Sequence, residues 1–356
     1  MYAKRPLLAI TIGDPAGVGP ETIVGAWSDP RVHEWCDAIV IGHPTILRRA
    51  ADLLGRRCEV RPIRDVREAR STPDCIPCFP CGPESALDAP PATIDARSGQ
   101  AAYEAVTRAA ELALTVQIDG IVTAPLHKAA LWQAGHHYPG HTELLAELCG
   151  VQDFAMMLYL GPDETIRSPA GLGVVHVTLH MALKDVFANL GIERIVAKAR
   201  LADSVMRAMR PLYHLDDERP RIGVCALNPH AGEEGLFGDE ERSIIRPAVE
   251  QARAAGLNIT GPLPTDTLMV RARDGEFDAV VAMYHDQGHI ALKLLGMHRA
   301  VNITLGLPIV RTSVAHGTAF DLAWQGRAES SSMIEAIRVA AGLAAARAAS
   351  DARQTS

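Results

Sequence analysis

The sequence predicts an α/β protein in which a mostly parallel β-sheet is covered by helices. Short apolar runs rich in β-branched residues, such as PLLAITIG (6–13) and DAVVAM (278–283), are typical of buried strands. They alternate with segments of helical period, such as 98–113, where apolar residues recur every three or four positions. This alternation is characteristic of parallel sheets with helices packed on their faces.

Further strands are predicted along the chain at DAIVIG, GIVTAP, FAMMLYL, LGVVHVTL and RIGVCAL. Pro44 is placed to open one helix at its first turn, and Ser98 to cap the start of another. The polar segment GPDETIRSPAG (161–171) joins two strands like a long hairpin, which predicts that part of the sheet is antiparallel. At the C-terminus an Ala-rich stretch predicts a long helix, and DARQTS (351–356) a frayed end.

Length, composition and charge narrow the class of protein. The chain of 356 residues is long enough for about two domains, and its 48% hydrophobic and 22% charged residues are typical of a globular protein. A formal net charge of −7 disfavours nucleic acid or an anionic membrane as the main partner. No apolar run approaches the ~20 residues of a membrane-spanning helix. Asp14 comes too early for a secretory signal, so we expect a cytoplasmic protein.

The seven cysteines do not suggest a disulfide framework, because their number is odd and no secretory signal precedes them. Three of them form the cluster CIPCFPC, Cys75 to Cys81, which invites a metal-binding interpretation. No fourth cysteine follows at ligand spacing, as a closed metal site would need. With Pro77 and Pro80 inside it, the cluster is instead expected to be a stiff surface loop with free thiols.

Histidines collect just past several predicted strands, where parallel sheets place their ligand chemistry. His180, His230 and His285 each follow one strand. Three imidazoles are a common shell for a catalytic metal, and they suit zinc as well as nickel, cobalt or iron. His176 is an alternative to His180, because strand alternation points both side chains to the same face.

Two carboxylates and a set of phosphate-binding residue types occur near the same strand ends. Asp266 and Asp286 are the carboxylates. Near the end of the chain, Lys293 and Arg311 would bind a phosphate as a point charge and a bidentate fork. Asn302 and the hydroxyl of Thr142 would add hydrogen bonds; the alternative is one salt bridge and solvated side chains. The loop GDPAGVGPE (13–21) is neither a GxGxxG fingerprint nor a P-loop.

Longer motifs then carry a resemblance to known proteins. HGTAFDLAWQGRA (316–328) is similar to a segment of isocitrate and isopropylmalate dehydrogenases, which bind NAD(P) without a Rossmann fingerprint. The wider set resembles the 4-hydroxythreonine-4-phosphate dehydrogenase (PdxA) family from residue 10 to about 328. Its motifs are ITIGDPAGVGPE, TAPLHK, GHTE, LNPHAGEEGLFGDEE, GPLPTDT, YHDQG and VNITLGLPIVRTSVAHGTAFDLA.

The resemblance implies a site. A divalent metal, zinc in the first place with magnesium, manganese or cobalt as alternatives, would be held by histidines of a homodimer, one of them from the partner subunit. The residues implied are His180, His230 and His285 for the metal; His141, Thr142, Lys293, Asn302 and Arg311 for the substrate; His316, Gly317, Thr318 and Asp321 for NAD; and Asp266 and Asp286 for catalysis.

The resemblance also implies a fold and a reaction. The fold would be two α/β/α lobes with a cleft between them, like that of isocitrate and isopropylmalate dehydrogenases. Residues 1–130 with 300–356 would form the NAD lobe, and residues 131–299 the lobe with the metal-ligating histidines. The reaction would be oxidation at C3 of a small 4-phosphorylated 3-hydroxy acid by NAD, followed by decarboxylation, as in pyridoxal phosphate biosynthesis.

The substrate's C2 group stays open at this point. YHDQGHIALKLLG and HGTAFDLAW look more like a second branch of the family, which oxidises 4-phospho-D-threonate or a related sugar acid. That substrate has a hydroxyl at C2 where the first has an amine, and both groups are able to reach a metal. A terephthalate dihydrodiol dehydrogenase and a phosphate acyltransferase of related fold are weaker alternatives.

Overall fold

The computed structural model describes residues 5–216 and 218–354 and confirms the predicted α/β class. The chain divides into two compact units. Unit 1 comprises Met1–Phe154 and Leu307–Ser356, and unit 2 comprises Ala155–Gly306. The sequence had placed the two changes of lobe at residues 130 and 300. In the structure, residues 131–154 belong with unit 1 and residues 300–306 with unit 2.

The strands are short and mostly buried. In chain order they are β1 (Leu7–Thr11), β2 (Asp37–Gly42), β3 (Glu59–Pro62), β4 (Cys75–Pro80), β5 (Gly120–Thr123), β6 (Ala155–Leu160), β7 (Leu172–His176), β8 (Ile222–Cys225), β9 (Ile259–Leu263), β10 (Ala279–Ala282), β11 (Val301–Leu305) and β12 (Arg311–Val314).

The α-helices connect most of these strands. They are α1 (Gly19–Trp27), α2 (Pro30–Trp35), α3 (Pro44–Leu53), α4 (Ala96–Leu114), α5 (Lys128–Gln133), α6 (His141–Leu148), α7 (Leu183–Asn189), α8 (Ile192–Met209), α9 (Arg246–Ala254), α10 (Thr265–Arg273), α11 (His285–Gly296) and α12 (Ser331–Gln354).

Unit 1 is built on parallel strands in the order β3-β4-β2-β1-β5-β12. Thr123 of β5 pairs with Thr11 of β1 on one side and with Ser313 of β12 on the other. The carboxyl ends of β1, β5 and β12 therefore lie side by side. Segments that follow these three strands start from one edge of the sheet, which is where ligands bind in folds of this kind.

The cysteine cluster is a strand, and the prediction of a surface loop for it was wrong. Strand β4 pairs in parallel with β2 and β3, and Cys78 is fully buried at 0% exposure. Prolines are unusual inside a sheet because they cannot donate to the ladder. Here the burial of Ile76 and Cys78 outweighs that preference. The cysteines of the cluster form no disulfide, so the prediction of free thiols is confirmed for them.

Helix α4 starts three residues earlier than the sequence suggested. Asp95 is its N-cap, and the Asp95 carboxylate accepts a hydrogen bond of 2.8 Å from the backbone N–H of Arg97. Asp and Ser are both favoured at an N-cap, and here the side chain of Asp95 makes the capping hydrogen bond. Ser98, which we had expected at the cap, lies inside the first turn and is fully buried.

Unit 2 has strands in the order β11-β6-β7-β10-β8-β9. Strand β6 is antiparallel to both β11 and β7, which confirms the hairpin-like excursion over 161–171. The remaining neighbours are parallel. Val281 of β10 pairs with Val175 of β7 and with Val224 of β8. The carboxyl ends of these three strands are therefore adjacent, and the predicted metal-ligating histidines follow them.

The C-terminal helix is α12, as predicted. It continues through Asp351–Gln354, so the frayed end expected there was wrong for these residues, and Thr355 and Ser356 lie outside the described part of the chain. Helices long and apolar enough to cross a membrane are absent from the described ranges.

Candidate active site

His285 opens helix α11 directly after strand β10, and its ring is oriented by the next residue. Nδ1 of His285 lies 2.7 Å from Oδ1 of Asp286. A carboxylate only accepts hydrogen bonds, so Nδ1 carries the proton and Nε2 keeps its lone pair. A carboxylate behind a histidine is the usual support of a metal-ligating imidazole. His285 is therefore prepared as a ligand through Nε2.

His180 follows strand β7 and lies close to His285. The two ring centroids are 5.7 Å apart. An imidazole bound to zinc through one nitrogen has its centroid roughly 3.2 Å from the ion, so two ligands at a tetrahedral angle have centroids about 5.2 Å apart. The observed separation is close to that value. The pair fits a divalent metal, and both side chains are accessible from solvent.

His230 and Asp266 are exposed side chains with fewer contacts to the groups described above. His230 lies in the exposed segment Pro229–Gly235, where its own φ is +53°, and its ring is 6.5 Å from that of Phe237. Within residues 5–216 and 218–354, it does not join His180 and His285 in a three-ligand group. Asp266 is exposed in the first turn of α10, where its carboxylate accepts the backbone N–H of Thr267 at 2.8 Å.

Two further histidines lie behind His285. His176, at the end of β7, is fully buried, and its Nε2 is 3.0 Å from Nδ1 of His289. His289 is 7% exposed and stacks on the His285 ring. Burial, and then the neighbouring imidazoles, lower the pKa of His176 to about 3. Burial and the neighbouring His285 do the same for the pKa of His289. His176 is therefore buried against His289, whereas His180 is exposed to solvent.

A buried cation occupies the start of β12 in unit 1. Arg311 is 2% exposed, and its Nη2 donates a hydrogen bond of 2.6 Å to Oγ1 of Thr123. Burial lowers the pKa of Arg311 to about 9, against the opposing effect of the Glu143 carboxylate. The guanidinium is still charged near neutral pH. An anion such as phosphate is the natural ligand for a charge held in this way.

His141 and Thr142 begin helix α6 near Arg311. Burial and the positive charge of Arg311 hold the pKa of His141 well below its usual range, so the ring is neutral at pH 7. Nε2 of His141 is buried and has no hydrogen-bond partner among the described residues. Thr142 is 7% exposed. A ligand with hydrogen-bonding oxygens would satisfy the imidazole.

Lys293 and Asn302 belong to unit 2. Lys293 is a half-buried residue of α11, two turns after His285. Asn302 lies in β11, where its Nδ2 is 3.0 Å from the sulfur of Met156. Its Oδ1 is buried and has no partner in the part of the chain that the structure describes.

The predicted NAD-binding segment follows β12 and packs on the loop after β1. The carbonyl oxygen of Thr318 accepts the backbone N–H of Val18 at 3.0 Å. A Cβ at Gly17 would lie 2.9 Å from that of Thr318, so glycine is required for this close approach. His316 is half-buried, and Nδ1 of its ring is 2.9 Å from the Gly317 carbonyl oxygen.

Part of the same segment faces open space. Gly317 and Asp321 are exposed, and a Cβ at Gly317 would meet no described atom within 4 Å. Glu21 ties the end of the segment down, because its carboxylate accepts the backbone N–H groups of Trp324 and Gly326.

Asp14, in the loop after β1, is a buried carboxyl group that no sequence pattern marked as part of the site. It is 0% exposed, and Oδ1 accepts the backbone N–H of Ala16 at 2.8 Å. Burial raises its pKa to about 6, although that N–H and the Ser98 hydroxyl act in the other direction.

His289 was missed as well, although a pattern was available to find it. His285 and His289 are four residues apart on a helix and so lie on one face of it. The partnership of His289 with His176 had no sequence pattern, because it joins residues 113 positions apart.

An α/β fold with histidines and cations at its strand ends suits a dehydrogenase that oxidises a CH–OH group. Comparison with known proteins leads to the same class. The family model described as "Pyridoxal phosphate biosynthetic protein PdxA" matches residues 34–340. The chain therefore belongs to the PdxA family.

Relatives with two different names match at similar levels. A D-threonate 4-phosphate dehydrogenase of Salmonella typhimurium is 46% identical over 95% of this chain and 98% of its own. A 4-hydroxythreonine-4-phosphate dehydrogenase of Beijerinckia indica is 46% identical over 92% of this chain and 91% of its own. The crystal structure of a 4-hydroxythreonine-4-phosphate dehydrogenase from Klebsiella pneumoniae has a TM-score of 0.83 at 43% identity, covering 97% and 99% of the two chains.

Proposed function

We propose that this protein catalyses NAD-dependent oxidation at C3 of a 4-phosphorylated 3-hydroxy acid, followed by decarboxylation, with a divalent metal ion bound. The observation that carries the proposal is the pair of histidines His180 and His285, whose ring centroids are 5.7 Å apart, in a chain of the PdxA family. Asp286 accepts a hydrogen bond from Nδ1 of His285. The substrate is proposed to be 4-hydroxythreonine 4-phosphate, the reaction of pyridoxal phosphate biosynthesis. The name of the Salmonella relative supports 4-phospho-D-threonate as the second candidate.

His180 and His285 are the proposed ligands within one chain, and zinc is the proposed metal because imidazole donors suit it. A bound divalent ion would supply a Lewis acid that lowers the pKa of the substrate hydroxyl. His230, on its exposed segment, is the proposed third ligand, donated by the partner in a homodimer. Helix α11 supports a dimer, because Ile290 and Leu294 expose 58% and 83% of their surface.

Different roles are proposed for the carboxylates of Asp286 and Asp266. Asp286 is committed to His285 through the 2.7 Å hydrogen bond, so its proposed role is to hold that ring. Asp266 is exposed and is the proposed acceptor of the C3 hydroxyl proton.

The substrate's phosphate is assigned to the polar groups already described. Its proposed contacts are Arg311, Thr142 and the neutral ring of His141 in unit 1. Lys293 and Asn302, in unit 2, are further proposed substrate-binding residues. Binding energy from a phosphate remote from C3 would help to orient the reacting carbon.

NAD is the proposed hydride acceptor and is assigned to unit 1. His316, Gly317, Thr318 and Asp321 are its proposed contacts, and the open side of Gly317 supports the assignment. Unit 1 would then be the NAD-binding unit and unit 2 the metal-binding unit, and the protein is expected in the cytoplasm.

The test is NADH formation by purified protein with 4-phosphooxy-L-threonine and 4-phospho-D-threonate in parallel, with and without a chelator. We expect chelator-sensitive oxidation of at least one substrate. Oxidation of the amino acid alone supports the first candidate, and oxidation of the threonate alone supports the second. If neither is oxidised by the metal-loaded protein, the proposal is wrong.

A further inference from the structure

Behind the proposed metal ligand lies a pair of imidazoles to which no role has been given. His176 ends strand β7, and His289 lies on helix α11. Nε2 of His176 and Nδ1 of His289 are 3.0 Å apart. The exposed fractions of the two residues are 0% and 7%. Polar groups buried to this extent are normally retained only when their hydrogen bonds are made.

The direction of the hydrogen bond follows from the neighbour of His176. Nδ1 of His176 is 3.4 Å from the carbonyl oxygen of Met156, which only accepts. The proton of His176 therefore belongs on Nδ1, and its Nε2 is an acceptor. Nδ1 of His289 must then be the donor. The backbone of β6 thus determines the tautomer of His176, which in turn determines that of His289.

His289, held in this way, packs against the ring of His285. The two rings stack with their centroids 3.8 Å apart and their planes at 12°. His285 is thus held at two places, at its face by His289 and at Nδ1 by Asp286. The hydrogen bond fixes the position of Nδ1, and the face contact further restricts rotation of the ring.

Gly288 makes this arrangement possible. A Cβ at Gly288 would lie 2.5 Å from Cγ1 of Val174 and 2.7 Å from Nε2 of His176. Helix α11 therefore contacts β7 at a distance that admits only glycine. Without that close approach, the His289 ring would not reach His176.

We propose that His176 and His289 are positioning residues that hold the His285 ring in its metal-binding orientation. This inference rests on the proposed function, because it takes His285 as a metal ligand. A ligand oriented in advance binds its ion more tightly, and loss of such supporting contacts typically weakens metal affinity about 10- to 100-fold.

The experiment measures zinc affinity of the purified apo protein by competition with a chromophoric chelator, together with the absorption spectrum of the cobalt-loaded form. His289→Leu removes both the ring and the donor. His289→Phe keeps a ring to stack on His285, and His289→Asn keeps an N–H for His176. The matched control is His298→Leu, which alters an exposed histidine shortly after the same helix.

We expect His289→Leu to weaken zinc binding about 10- to 100-fold and to shift the cobalt bands. His289→Phe and His289→Asn should fall between it and the wild type, and His298→Leu should match the wild type. Thermal unfolding of the apo forms separates a change in metal affinity from a general loss of stability. His289→Phe, which conserves the packing, serves as the test if His289→Leu does not fold.

The His285→Ala variant distinguishes the positioning role of His176 and His289 from the metal-ligand role of His285. Loss of zinc affinity in His285→Ala, with wild-type affinity and cobalt spectrum in His289→Leu and His289→Phe, overturns the positioning role alone. Zinc affinity that is unchanged in His285→Ala overturns the positioning role together with the metal assignment of the proposed function.

Discussion

Arg311 places a charged group, proposed to bind phosphate, where burial opposes the folding of the protein. Its guanidinium is 2% exposed, so the charge is almost completely removed from water. A buried charge is tolerated only when it is paired and hydrogen-bonded. Here Thr123 accepts from Nη2, and Glu143 supplies the opposite charge. A phosphate would add charge-assisted hydrogen bonds to the same group.

Replacement of Arg311 by lysine keeps the charge but loses the planar fork. We expect kcat/KM for the phosphorylated substrate to fall on the order of 10- to 100-fold, mainly through KM, because charged hydrogen bonds are worth about 1.5–3 kcal/mol. Steady-state kinetics would measure the change. Arg108→Lys, at a half-buried position of α4 paired with Glu111, is the control. Wild-type KM in the Arg311→Lys variant would contradict the phosphate assignment.

Asp14 makes stability depend on pH. Its pKa is about 6 in the folded protein against an ordinary value of 3.8, so between these values the folded state binds a proton that the unfolded chain does not. The folded state is favoured by the protonated form of Asp14. This contribution to stability is complete below about pH 3.8 and is lost as the pH rises through about 6. The difference between the two pKa values corresponds to about 3 kcal/mol in the free energy of unfolding.

Asp14→Asn removes this dependence while an amide oxygen remains to accept the Ala16 N–H. We therefore expect the variant to gain stability relative to the wild type between about pH 4 and pH 7. Denaturation midpoints at several pH values would measure this, with the exposed Asp52→Asn as the control. A difference between Asp14→Asn and wild type that stays constant with pH would show that Asp14 does not titrate in this range.

At the scale of elements, close approach between α4 and α5 depends on one glycine. A Cβ at Gly99 would lie 2.1 Å from the carbonyl oxygen of Ala130. Alanine there would separate the two helices, although alanine is intrinsically the better helix former. We expect Gly99→Ala to destabilise the protein by about 1–3 kcal/mol.

The matched control for that substitution is Gly191→Ala. Gly191 has an extended backbone, with φ at −165°, and a Cβ there would meet nothing within 4 Å. Denaturant unfolding of both variants would measure the difference. Equal stability of the two would mean that the α4–α5 contact adjusts freely to an added methyl group.

Most strands were predictable because each is a short local run of apolar residues, as in β10, where every residue is buried and apolar. Strand β4 was not, because its prolines disfavour a sheet and only packing against β2 and β3 makes it one. The helix start at Asp95 was missed for a different reason: several nearby residues are good caps, and tertiary contacts select one.

The candidate site was predictable to the extent that it follows strand ends. His180 and His285 come after the neighbouring strands β7 and β10, and the structure brings them together. His230 follows β8, but the path of its loop, with left-handed residues from His230 to Glu234, is not encoded in the strand pattern. The pairing of His176 with His289 depends on how α11 contacts β7, which only the folded unit determines.

At the scale of the whole molecule, the protein's identity as a PdxA-family dehydrogenase rests on agreement along nearly the entire chain, and a net charge of −7 does not conflict with a small anionic substrate. Several oriented or charged groups, rather than a general positive surface, would select that substrate. The unphosphorylated acid would lose all of the binding energy assigned to them.

The most direct test of this account is the ratio of kcat/KM for 4-phospho-D-threonate and D-threonate, or for the corresponding pair of amino acids if those are the ones oxidised. With NAD and zinc present, we predict a preference of at least about 1,000-fold for the phosphorylated acid, since several charge-assisted hydrogen bonds would be lost without it. Comparable rates for the two acids would contradict the central claim that the site is built for a phosphorylated substrate.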